Sequence, residues 1–129
     1  MIYIPVSCAV IQNGEQILAV QRSEKMSHPL KWEFPGGKIE PDETPESALS
    51  REIREELSVE INILRQLSSV KHDYTGKAIE LIPFLVEISS GNIHLTEHLN
   101  YRWLSRNELS LLDWVEADIP IVSELLQQS

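Results

Sequence analysis

The segment from Thr44 to Leu57 admits one local structure. Thr44 is a good helix N-cap, Pro45 suits the first helical position, where an N–H would lack a partner anyway, and Glu46 puts an acid in the first turn. Leu49, Ile53 and Leu57 recur at four-residue steps, so the helix carries one apolar stripe that must be buried. Its acids are unusually placed. At about 100° per residue, Glu52 and Glu56 project within roughly 60° and 20° of Leu49, and Glu55 lies about 60° from Glu52. Three like charges at that spacing repel by a few tenths of a kcal/mol each when exposed, and by more when partly buried. Solvated helix charges normally lie opposite the apolar stripe, whereas these border it. A carboxylate cluster at a half-buried edge calls for a cation. Oxygen donors without thiolate or imidazole point to Mg²⁺ or Mn²⁺.

The rest of the chain supplies strands for that helix to pack on. Tyr3–Gln12 and Gln16–Arg22 are rich in Val, Ile and Leu, with the hairpin dipeptide Asn13-Gly14 between them. Ser23–Lys31 is polar, contains Pro29 and reads as a loop. Pro35-Gly36-Gly37 reads as a tight turn whose glycines allow positive φ or a close backbone approach. A carbonyl freed by such a turn is a further hard ligand, and Lys38 behind it suits a phosphate. Val59–Val70 and Ala78–Ile88 read as strands joined through Thr75-Gly76-Lys77, and Tyr101–Leu104 as a short strand. Asp118 caps a last helix that runs to about Leu126. Strands before, after and between two helices predict an α+β fold, a mixed sheet flanked by helices in an α/β/α sandwich. The length of 129 residues suits one domain spanning 1–129, with no repeat or linker.

Composition limits the partners. Twenty acids against eleven Lys and Arg leave a net charge of −9. Such a surface repels nucleic-acid polymers and anionic membranes. Eight acids and two bases fall between Glu40 and Glu60, so two-thirds of the excess charge belongs to the one segment that asks for cations. Cys8 is the only cysteine, which excludes an intrachain disulfide and a thiolate cluster. Met1–Ile11 lacks a basic flank and contains Pro5, so it reads as a strand and not a signal peptide, and no apolar run approaches a membrane span of about 18 residues. A cytoplasmic protein is expected. His94 and His98 are four apart outside any helix and do not make a zinc site. Trp103 is expected in the core, Trp32 and Phe34 flank the glycine turn, and Trp114 receives no assignment.

The helix and the turn together resemble the Nudix hydrolases. That family's signature is Gly, five residues, Glu, seven residues, then Arg-Glu-apolar-x-Glu-Glu-x-Gly-apolar. Here stand Gly37, Glu43 and Arg51-Glu52-Ile53-Arg54-Glu55-Glu56-Leu57-Ser58-Val59. Only the final glycine departs, replaced by Ser58. The resemblance implies the Nudix fold, Glu52, Glu55 and Glu56 as metal ligands together with the Gly36 carbonyl, and a Glu43–Arg51 pair that orients Glu52. Glycine at position 58 would end the helix with positive φ, and serine there costs on the order of 1 kcal/mol if that conformation is kept.

Trp32-Glu33-Phe34-Pro35-Gly36-Gly37-Lys38 is similar to the MutT branch and its pyrimidine-nucleotide relatives. That likeness implies Arg22 and Lys38 on substrate phosphates, His28 near the substrate, and Phe34 lining a base pocket or the core. It also implies Glu97 as an extra metal ligand or general base, and Asp118 as a base-reading residue in addition to, or instead of, a helix cap. The general base stays open among Glu52, Glu55 and Glu97. The implied activity is Mg²⁺-dependent hydrolysis of a nucleoside triphosphate to monophosphate and pyrophosphate by a monomer or homodimer. Oxidised purine nucleotides such as 8-oxo-dGTP are the leading substrate, and CTP or dCTP-like compounds the alternative. A nucleotide sensor without turnover is the reading from another class, against which stands the intact, self-repelling acid set.

Overall fold

The computed structural model describes residues 2–128. Strand β1 (Ile4–Asn13) lies at the centre of a mixed sheet. It turns at Gly14 (φ 61°) into β2 (Gln16–Gln21), so Asn13 closes the strand instead of entering the turn. β2 pairs with the short β3 (Trp32–Glu33), and β1 with β4 (Gly36–Lys38), both antiparallel. Helix α1 (Pro45–Leu57) follows, then β5 (Glu60–Gln66), β6 (Val70–Tyr74) and β7 (Lys77–Ser90). β7 runs parallel to β1 from Ile4↔Ile79 to Ile11↔Val86. β8 (Asn100–Ser105) returns to pair with β2, and α2 (Ile119–Gln127) ends the fold.

Alternation along β1 sets the layers. Ala9 and Ile11 face α1 and pack with Leu49, Ile53, Leu57, Phe84 and Val86. Cys8 and Val10 face the opposite side, with Ile121, Val122 and Leu125 of α2 and with Leu109, Trp114 and Phe34. The sheet is thus covered on both faces, the sandwich expected. Trp114, unassigned from sequence, lies in this second core: its ring is 4.7 Å from that of Phe34, and its indole N–H donates to the Leu109 carbonyl at 2.6 Å.

Two assignments change. Residues 59–70 do not form one strand. β5 stops at Gln66 and β6 starts at Val70, and both pair with the fourteen-residue β7. Pro83 of β7 has no N–H to give, and the partner is handed over beside it: Leu67 N–H still reaches the Pro83 carbonyl at 2.9 Å, after which the chain leaves the ladder. Gly36-Gly37 is not a tight turn either. Both residues belong to β4, and neither has a positive φ. They are glycines because a Cβ on Gly36 would run into the Ser7 carbonyl and Cys8 Cα, and one on Gly37 into the Glu52 carboxylate.

The α1 caps follow their chemistry. Thr44 and Ser47 exchange side-chain and backbone hydrogen bonds at 3.0 Å in a capping box. Ser58 takes the left-handed conformation (φ 62°, ψ 31°), and its N–H reaches the Arg54 carbonyl at 3.1 Å. The chain therefore keeps the cap that a glycine would form without strain.

Candidate functional site

Glu43 and Arg51 lock the loop before α1 to the helix. Arg51 Nε donates to Glu43 Oε2 at 2.7 Å and one terminal nitrogen to Oε1 at 2.9 Å, a planar two-point bond. Its other terminal nitrogen donates to Glu52 Oε1 at 2.9 Å. Hydrogen bonds from the Arg51 guanidinium first, and then from the Glu40 amide, hold the Glu43 carboxyl down at about 2. Glu52 is thus pinned by Arg51 on one side and backed by the bare backbone of Gly37 on the other.

The three acids of α1 do not share one environment. Glu52 and Glu56 are half-buried, with side chains 19% and 15% exposed, whereas Glu55 leans outward at 59%. The cluster at the buried edge is therefore a pair with a third member at the rim. Burial pushes the Glu56 carboxyl well above the ordinary carboxylate range. The neighbouring Glu52 carboxyl and the charge of Glu33 push the same way, while the Gly36 backbone opposes them. Glu56 Oε1 is buried and has no hydrogen-bond partner. An orphaned carboxylate oxygen beside a second carboxylate fits a hard divalent cation, whose charge would reverse each of those penalties. Among the described residues, no three acids or imidazoles already converge as a closed cage.

The far wall is carried by the loop between β7 and β8. Three of its bonds land on the last turn of α1, where helix carbonyls lack partners: His94 N–H on the Leu57 carbonyl (2.9 Å), Thr96 N–H on that of Glu56 (3.2 Å), and Thr96 Oγ1 on that of Glu55 (3.1 Å). Tethered there, the loop brings exposed Glu97 to a cleft of about 360 Å³ shared with Glu52, Glu55, Glu56, Glu33, Gly36 and Arg22.

That cleft adjoins a larger cavity of about 530 Å³. Arg22, Glu33 and Gly36 line both. The cavity takes in every substrate-side residue expected from sequence: Arg22, His28, Phe34, Lys38 and Asp118. Phe34 packs on Trp114 in the core and also lines the cavity. Tyr74 joins it from the β6–β7 hairpin, its ring 5.2 Å from that of His28.

Two residues sit differently from expectation. Arg22 points into the protein: it donates to the Ser27 carbonyl (2.6 Å), Ser27 Oγ (3.0 Å) and Glu33 (2.9 Å). It holds the loop carrying His28, itself strained at φ 49°, so its guanidinium is engaged by the protein. Asp118 does not cap α2 with its side chain. It is buried, accepts the Phe34 N–H at 2.8 Å, and is raised to about 8, by burial first and by the charge of Glu33 as well. A bond across 84 positions outcompetes the local cap.

Glu33 and His98 were missed. Glu33 Oε2 lies 2.8 Å from His98 Nε2, and the His98 side chain is almost wholly covered. No periodicity marks Glu33, which sits on a two-residue strand, and the adjacency of His98 to Glu97 was the only available hint.

Comparison with known proteins places the chain in a family. The NUDIX domain profile matches residues 2–125. The CTP pyrophosphohydrolase of Escherichia coli K12 is 34% identical over 123 residues, covering 95% of this chain and 91% of that protein. The 8-oxo-dGTP diphosphatase of Proteus vulgaris is 49% identical over 77 residues, covering 60% and 69% respectively. Among solved structures, the MutT protein of methicillin-resistant Staphylococcus aureus 252 superposes with a TM-score of 0.80 at 42% identity, covering 98% of each chain. With three signature glutamates on one cleft and the match spanning nearly its whole length, this chain belongs to the Nudix family.

Proposed function

We propose that the chain, acting as one domain, hydrolyses nucleoside triphosphates to monophosphate and pyrophosphate with the help of Mg²⁺, for which Mn²⁺ substitutes. The observation that carries this reading is the join between two concavities. A cavity of about 530 Å³ is large enough for a base and sugar, and it opens at Arg22, Glu33 and Gly36 into the acid-lined cleft. A nucleotide lying across the join puts its phosphates among carboxylates, an arrangement that makes sense only if cations arrive with it.

Glu52, Glu56 and the Gly36 carbonyl would hold the metal from the buried side, and Glu55 and Glu97 from the rim. A divalent cation there supplies neutralisation of phosphate charge and a water of lowered pKa. The chain's own residues do the rest. Arg51 and Glu43 orient Glu52, and Lys38 at the mouth of the cavity meets phosphate oxygens. Glu52, Glu55 or Glu97 takes the proton from the attacking water. Asp118 and Phe34 present the polar and apolar sides of the base pocket. Arg22 acts by holding the His28 loop and reaches phosphate only on releasing Ser27.

The leading substrate is an oxidised purine nucleotide such as 8-oxo-dGTP, supported by the high local identity to a diphosphatase of that name. A cytidine triphosphate is the second reading, supported by the nearly full-length similarity to a CTP pyrophosphohydrolase. The acidic surface favours a small nucleotide in the cytoplasm over a polymer or a membrane, with the enzyme a monomer or homodimer. Pyrophosphate release should be measured on 8-oxo-dGTP, dGTP, CTP and dCTP with Mg²⁺ or Mn²⁺. Turnover of one or more of them is expected. Tight binding without turnover of any would replace the enzyme with a sensor.

A further inference from the structure

Neither the signature motif nor the nucleotide cavity accounts for His98. It follows exposed Glu97 in a surface loop, yet its side chain is only 5% exposed. Its two ring nitrogens face different carboxylates. Nε2 lies 2.8 Å from Glu33 Oε2, a hydrogen bond, and Nδ1 lies 3.8 Å from Glu56 Oε1, which is too far for one. Both Nδ1 and Oε1 are buried and lack hydrogen-bond partners. Two orphaned polar atoms that face one another are costly apart, and with one proton between them a small rotation of the Glu56 carboxyl would satisfy both at once.

The other side of the ring is clamped. Glu33 spends Oε1 on Arg22 at 2.9 Å and Oε2 on His98, so it has no free oxygen with which to swing away. Arg22 in turn is fixed by Ser27. The loop that carries His98 is tethered to the end of α1 through Thr96. The imidazole is therefore held from two directions, with its remaining nitrogen aimed at the most buried acid of the helix.

We propose that His98, clamped by Glu33, is a positioning residue for Glu56: it holds Oε1 and leaves the second carboxylate oxygen to a divalent cation. This rests on the reading of Glu56 as a metal ligand. The chemistry is general, because metal-bound carboxylates are themselves hydrogen-bonded, and those outer partners set ligand orientation.

Asn and Gln distinguish the two ring nitrogens, since an Asn amide reaches the Nδ1 position and a Gln amide the Nε2 position. Mn²⁺ alone should be titrated into each protein and free Mn²⁺ read by electron paramagnetic resonance, without nucleotide. His98→Ala and His98→Gln are expected to weaken binding about tenfold or more, while His98→Asn stays within about threefold of wild type. Glu33→Gln, whose amide oxygen still accepts from Nε2, should retain affinity, and Glu33→Ala should lose less than His98→Ala. Unchanged affinity across the His98 series overturns the proposal. So does an equal loss in His98→Asn and His98→Gln, which would report packing alone. If wild type and Glu56→Gln bind Mn²⁺ equally, it is the ligand reading of Glu56 that falls, a result the His98 variants cannot produce.

Discussion

Asp118 accepts the backbone N–H of Phe34 at 2.8 Å, tying the entrance of the last helix to the strand end that opens the glycine segment. The carboxyl is buried and raised from 3.8 to about 8. Between those values the folded chain keeps a proton that the unfolded chain gives up, so this group's contribution to stability falls as pH rises and levels off above about 8. Asn at 118 still accepts the Phe34 N–H but never ionises. Urea midpoints should favour Asp118→Asn increasingly over wild type from about pH 5 to about pH 8.5. Asp118→Ala, which strands the amide, should lie about 1–3 kcal/mol below Asp118→Asn throughout that range. A constant difference between Asn and wild type across that range would contradict the raised pKa.

Glu43 behaves in the opposite sense. Its hydrogen bonds, from Arg51 first and then from the Glu40 amide, lower it from 4.5 to about 2. The stability it lends is present above about pH 4.5 and drains away as pH falls toward 2. Glu43→Gln should therefore show a shallower acid limb than wild type in denaturation midpoints. Arg51→Lys keeps the charge but loses the two-point bond, and turnover should drop about 10- to 100-fold while the circular dichroism spectrum is retained.

Glu56→Gln separates chemistry from folding. The substitution removes a carboxyl whose ionisation is disfavoured by burial and by two neighbouring acids, so thermal stability without metal should not fall. Pyrophosphate release should fall about a hundredfold or more, and added Mn²⁺ should no longer raise the melting temperature as it does in wild type. Activity within about threefold of wild type would remove Glu56 from the machinery.

Ser58 carries strain that glycine would not. With φ at 62°, Ser58→Gly should raise stability by about 1 kcal/mol, read as a shift in the urea midpoint at unchanged slope. Ser58→Ala, which keeps the Cβ, should give no such gain.

Much of α1 was legible because its information is local. A cap, a proline, a four-residue apolar period and a run of acids depend only on residues within a few turns of one another. The Glu43–Arg51 bond was legible for a different reason: the spacing matches a family signature. Glu33 and His98 left no such trace. They are 65 positions apart, and their bond exists because β3 pairs with β2 and the loop before β8 joins the same strand end, Leu99 N–H reaching the Gln21 carbonyl. The same lack of local signal explains Asp118, whose sequence neighbours describe a cap and whose actual partner is Phe34.

The amino-acid sequence by itself determined the helix, its acids, the packing of helices on a mixed sheet and the demand for a cation, since each follows from periodicity and from the cost of crowding like charges at a buried edge. Only the tertiary structure decided which acids are buried. It turned Glu55 outward and Glu56 inward, made strand glycines of a supposed turn so that Glu52 could lie against Gly37, and set a histidine facing the oxygen left without a partner. Burial is a property of surfaces brought together from distant parts of the chain, and no window along the sequence contains it.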